Sequence, residues 1–160
     1  MGLKDLIFNK GGIGPSLSRR ETIERLNPLI RQHMELNLYY NFVIDHITDP
    51  TVAASLSDLQ KVARADVGKM METVFSCGGV AFNGVELEPA DYTLDGDDDA
   101  MLFALRDHEE SFSETIEADL ELDHQIRTKA ILNLVLTNSQ KRLNVLKTLT
   151  KRRRRPQSTA

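Results

Sequence analysis

The chain has one cysteine, Cys77, and no tryptophan among its 160 residues. A single thiol excludes an internal disulfide and makes a reducing compartment the default. No Lys, Arg or His stands beside Cys77 in sequence, so it reads as a small core side chain near a helix end rather than an activated nucleophile. Apolar runs are short everywhere, well below the roughly 18–20 residues that span a bilayer. The start, Met1 to Leu6, lacks the apolar stretch of a secretory signal, and Leu6 stands where a myristoylation signal requires Ser or Thr. Beta-branched residues are not gathered in alternating runs, which argues against a sheet. The expectation is one cytoplasmic, all-α domain, large enough to bury a core without staples.

Charge is divided unevenly. Residues 151–155 carry five of the 20 basic side chains, leaving residues 1–150 with 15 against 24 acidic ones, a net of −9. An acidic body with a basic end bears on partners. Lys151, Arg152, Arg153, Arg154 and Arg155 could contact a polyanion, or could solvate the chain and favour the carboxyl end of the last helix. No aromatic residues are interleaved with them for base stacking.

Along the chain, residues 1–17 form a Gly-rich lead-in without helical or strand period, expected to be flexible. Ser18 and Glu21 have the spacing of a capping box and open the first helix. Pro28 lies about two turns in and is expected to kink that helix rather than end it, since the apolar stripe keeps its phase from Leu26 to Ile30. Asp49-Pro50 is an N-cap followed by Pro at the first helical position, so a second helix starts at once. Gly78-Gly79 closes it. A third helix begins in Asp97-Asp98-Asp99 and runs to about Asp119, and Asp123 is the expected N-cap of a fourth reaching Thr150. Residues 151–160 are expected to be a disordered basic tail.

Four apolar stripes each hold a polar exception near the middle. The first reads Ile23, Leu26, Ile30, His33, Asn37, Tyr40, Ile44, Ile47, and the second Leu56, Leu59, Ala63, Asp66, Met70, Val74, Cys77. The third is Leu102, Leu105, Glu109, Phe112, Ile116, and the fourth Ile131, Leu134, Asn138, Val145, Leu149. A buried polar group without a partner costs several kcal/mol at worst, so the exceptions share an explanation. They form a hydrogen-bonded polar layer of His33, Asn37, Asp66, Glu109, Asn138 and Lys141, or a single Fe, Mn or Zn site built from His33, Asp66 and Glu109. His46, His108 and His124 lie near ends or turns and are expected to face solvent. Leu36, Tyr39, Val43, Val62, Val67 and Met71 make a second apolar strip that suggests a dimer.

Connection lengths set the topology. The first and second helices, and the third and fourth, are joined by few residues. The 18 residues from Val80 to Asp97 can extend about 60 Å and so run the length of a bundle. Short, long, short describes an antiparallel four-helix bundle with one long crossover between the second and third helices.

That order resembles the ferritin-like superfamily, especially its rubrerythrin and bacterioferritin branch, over residues 20–150. Leu26-Asn27 with His33 and Tyr40 looks like the family's Leu-Asn, ligand Glu and Tyr. The second helix's Glu-x-x-His would fall on Ala63 to Asp66, the third helix's Glu on Glu109, and the fourth's Glu-x-x-His on Asn138 to Lys141. Of these only Glu109 keeps its residue type. The resemblance implies the fold without the family's di-iron chemistry, and hence a non-catalytic assembly or partner-binding protein with no cofactor. The rival is a mononuclear metalloprotein or oxidoreductase. Gly11 to Ser18 resembles the short targeting segments of encapsulin cargo, so a protein partner through the termini is a further expectation.

Overall fold

The computed structural model describes residues 16–157. Most of the lead-in, including residues 11–15, lies outside them. Among the described residues there are four long helices and no strand: α1 (Arg19–His46), α2 (Pro50–Ser76), α3 (Asp98–Asp119) and α4 (Ile126–Thr150). The long connection between α2 and α3 carries one 3-10 turn, Pro89–Asp91. None of these helices is long and apolar enough to cross a membrane.

The helix boundaries follow from local chemistry. Ser18 Oγ accepts from the Glu21 amide while Glu21 Oε1 accepts from the Ser18 amide, which closes the capping box on α1. Asp49 accepts from the amides of Thr51 and Val52 ahead of α2. Asp97 accepts from the Ala100 amide ahead of α3. Gly78, at φ 82°, takes the left-handed conformation that ends α2. α1 continues through Pro28, and Asn27 beside it holds the connection between α2 and α3, donating to the Val80 carbonyl at 3.0 Å and accepting from the Phe82 amide at 2.8 Å. α4 starts later than expected, at Ile126 with Gln125 as its unassisted N-cap. The Asp123 carbonyl instead accepts from the Leu17 amide, which fastens the entry of α1 to that turn.

α1 packs on α2 and α3, and α4 packs on the same two helices, so α1 and α4 lie diagonally opposite. Arg25, Tyr40 and Thr48 of the α1 side bond Asp119, Glu109 and Asp98 in that order. Arg106, Glu109 and Ser113 of α3 bond Thr150, Arg142 and Ser139. The core is Leu26, Ile30, Tyr40, Leu56, Met70, Leu102, Leu105, Phe112, Ile116, Leu132 and Leu146, all fully buried.

Three expectations are corrected here. The inward stripe of α4 is Thr128, Leu132, Val135, Ser139, Arg142, Leu146 and Thr150, one residue out of phase with the expected one, and Leu134 is exposed. Two overlapping apolar stripes run along this helix, and packing against α3 selects the one with unbroken three-four spacing. The strip taken to suggest a dimer is mostly monomer core: Leu36, Val43 and Val67 are buried, and only Val62 is clearly exposed. The tail is also not free of the body as far as Pro156. Arg153 reaches Asp99 at 2.7 Å, and Arg155 grips both oxygens of Asp107 while lying 4.7 Å from the Phe103 ring centre. Lys151, Arg152 and Arg154 are exposed.

Candidate functional site

The polar exceptions meet around a residue that the stripe reading passed over. Arg142 of α4 is almost wholly buried. Its Nε donates to Glu109 Oε1 at 2.6 Å and its Nη2 to Oε2 at 3.2 Å. This fork-on-carboxylate contact is the strong form of an ion pair. Tyr40 Oη donates to Glu109 Oε1 at 2.6 Å and Ser139 Oγ to Oε2 at 2.7 Å. Ser113 and Ser139 are 2.6 Å apart. With its proton directed to Glu109, Ser139 accepts from Ser113. Each Glu109 oxygen therefore accepts from the guanidinium and from one hydroxyl, and both oxygens are occupied.

Asp66 of α2 completes the layer from the other side. Asn138 Nδ2 donates to its oxygens at 2.9 and 3.2 Å, and Lys69 Nζ approaches Oδ1 at 3.3 Å. Arg142 Nη1 stands 4.0 Å from Asp66 Oδ2, within electrostatic range but beyond a hydrogen bond. Burial works against the charge of Arg142, but Glu109, Tyr40 and Asp66 outweigh it and raise its pKa above the usual value. Burial, reinforced by the Glu109 charge, raises the Tyr40 hydroxyl well above its usual range, so it stays protonated and donating.

Of the expected layer, Asp66, Glu109 and Asn138 are therefore brought together. His33 and Asn37 are buried on α1 but stand apart from this network. Asn37 Nδ2 donates to the His33 carbonyl at 3.1 Å, and the His33 ring packs 4.4 Å from Phe112. Asn37 Oδ1, both His33 ring nitrogens and Arg142 Nη1 have no partner. Burial, with the Arg142 charge second, lowers the His33 pKa to about 3, so the imidazole is neutral. Lys141 is exposed and takes no part. The inward cation is its neighbour Arg142, as the phase of α4 requires.

A ferritin-like di-metal centre does not fit these residues. Ala63 offers no ligand, Asn138 turns its donor toward Asp66, and both Glu109 oxygens are held by Arg142, Tyr40 and Ser139. Among the described residues no three His, Cys, Asp or Glu side chains form a group able to hold a metal ion. The sequence matches no known family model and no curated protein.

A second polar cluster, with Asp119 and His124 buried and Arg25 exposed, lies at the other end of α3. Arg25 donates twice to Asp119 Oδ1, at 2.6 and 2.9 Å, and His124 Nε2 lies 2.7 Å from Oδ2. Burial alone would raise the Asp119 pKa, but the bonds from His124 and Arg25 bring it below the usual value. His124 is thus a buried structural residue, contrary to the expectation that it faces solvent, because the turn after α3 folds it back on Asp119. His46 is exposed and His108 half-buried, stacked 3.9 Å from Tyr39.

Proposed function

We propose that this chain is a ferritin-like four-helix bundle whose core cation is a side chain in place of a metal, and that it works by assembling or by binding partners rather than by catalysis. The observation that carries the reading is the Arg142 guanidinium between Glu109 and Asp66. Two carboxylates facing a bundle centre need a compensating cation, and Arg142, with Lys69 at the rim, provides that charge without a metal. The helices run antiparallel to their neighbours with a crossover along the bundle. Residue numbers descend on α3 as they rise on α1, and again on α4 as they rise along α3 from 106 to 113. With α1 and α4 diagonal, the connection from α2 to α3 has to travel the bundle's length.

A cytoplasmic location completes the reading. Metal analysis of protein expressed in iron- and manganese-rich medium tests it: the expected content is far below one ion per chain. Two ions per chain with a carboxylate-bridged spectroscopic signature would overturn it. The rival reading, a mononuclear site of His33, Asp66 and Glu109, has little support: no three such side chains among the described residues form a group able to hold a metal ion, and both Glu109 oxygens are taken. That reading expects one ion per chain, lost in His33→Ala and Glu109→Ala.

A further inference from the structure

We infer that the mid-bundle layer contains an internal hydration site, where buried water joins His33 and Asn37 of α1 to Arg142 and Asp66 across the core. Four buried polar atoms on three side chains have no partner: His33 Nδ1, His33 Nε2, Asn37 Oδ1 and Arg142 Nη1. Buried polar groups are nearly always satisfied by protein or ordered water, so a group of orphans on facing residues calls for a ligand. These orphans share one level of the bundle. His33 packs on Phe112, three residues along α3 from the Glu109 that grips Arg142. Asn37 stands one helical turn beyond His33 and bonds its carbonyl. The Arg142 charge also contributes, after burial, to lowering the His33 pKa.

The donor and acceptor count selects the ligand. Arg142 Nη1 donates only. Asn37 Oδ1 accepts only, because its amide nitrogen is engaged at His33. Neutral His33 offers one donor and one acceptor. The ligand must therefore both accept and donate, with about two of each. A metal cation would accept nothing from Arg142 Nη1 and would meet its charge. A simple anion would give nothing to Asn37 Oδ1 and would meet Asp66 and Glu109. Water has two donors and two acceptor sites and carries no charge. Its place is also marked by the 4.0 Å between Arg142 Nη1 and Asp66 Oδ2, a separation at which one water can bond both groups from the side.

Nuclear magnetic resonance of the full-length, isotope-labelled chain at neutral pH provides the test. Long-range proton–nitrogen correlation should show His33 as a single neutral tautomer with its bare nitrogen hydrogen-bonded. Water-selective transfer should give cross-peaks from long-lived water to the His33 ring and the Arg142 guanidinium. In Asn37→Leu those cross-peaks should weaken or vanish while the Tyr40–Glu109–Arg142 signals persist. Absence of any water cross-peak at both groups in the wild-type chain would overturn the inference. So would displacement of the His33 nitrogen signals by stoichiometric Zn²⁺ alone, which would assign the orphans to a metal. Metal content in expression remains a separate measurement, so failure of the hydration site and failure of the metal-independent reading are distinguishable.

Discussion

A guanidinium withdrawn from water beside carboxylates is stable only while its partners remain. Arg142→Ala leaves Glu109 charged and buried with only two hydroxyls to solvate it, so the expected loss is about 3–5 kcal/mol of folding stability, read from urea unfolding. The double variant Glu109→Leu/Arg142→Met removes both charges at similar volume and should lose much less than the two single changes together. Additive losses would show that the pair does not act as a unit. His33 makes a separate demand. Its pKa of about 3 in the folded chain lies far below the ordinary 6.5, so the unfolded chain binds the extra proton first as pH falls. The stability linked to neutral His33 is complete above pH 6.5 and drains away from there toward pH 3, about 2 kcal/mol of it by pH 5. Asp119 is also depressed, but its contribution fails only in the carboxylate range; burial lowers half-buried His108 as well, so the share of His33 in the loss between pH 6.5 and 5 is the part that His33→Met removes. Urea midpoints at pH 7.5 and 5, for wild type and His33→Met, measure it. A flat wild-type profile would contradict the burial of a neutral ring, and the variant should flatten a sloping one.

On the scale of elements, the connection between α2 and α3 is fastened to α1 by Asn27, with Arg31 to Glu86 and Tyr92 to Glu35 further along it. The Asn27 side-chain amide spans the Val80 carbonyl and the Phe82 amide, so Asn27→Ala should cost about 1 kcal/mol and speed amide exchange around residues 80–87 while α3 and α4 stay protected. Uniform exchange across all helices would mean that this connection is held chiefly by its other contacts. The starts of the first three helices were legible from Ser18, Asp49 and Asp97, because capping is decided within four residues of sequence. The polar exceptions on α1, α2 and α3 were legible too, since each interrupts a single stripe. α4 was not, because its apolar residues Ile131, Leu132, Leu134, Val135 and Leu136 support two faces one residue apart, and only contact with α3 chooses between them. That slip placed Lys141 inward in place of Arg142. The missed signal was the unbroken three-four spacing Leu132, Val135, Ser139, Arg142, Leu146, which carries two polar residues at the depth of Glu109. His124 was lost for another reason: its burial comes from a turn that folds it onto Asp119, which helical periodicity does not register.

Taken whole, the molecule is an acidic body whose carboxyl-terminal cations are divided between two roles. Arg153 and the surface-exposed Arg155 are paired with Asp99 and Asp107, while Lys151, Arg152 and Arg154 face solvent. The end of the bundle that carries them also holds Asp95, Asp97 and Asp98, so any polyanion is attracted by three side chains and repelled by the surface behind them. Binding to heparin should therefore be weak, confined to low salt and dependent on the outward cations. Because each neutralised phosphate or sulfate releases about one condensed counterion, the logarithmic salt slope should be near 3 rather than near 5. Arg152→Gln with Arg154→Gln should abolish retention on a heparin column. Arg153→Gln and Arg155→Gln should leave the slope nearly unchanged and instead free the chain end from α3, visible as faster exchange of the Arg153 and Arg155 amides. Deleting residues 151–160 should remove retention without altering helicity. A slope near 5 in the intact chain would mean that polyanions peel the two paired arginines from their aspartates, making the two ion pairs a release point rather than a fixed anchor. Retention that survives the deletion would place the anion-binding surface on the helices themselves, against their net charge.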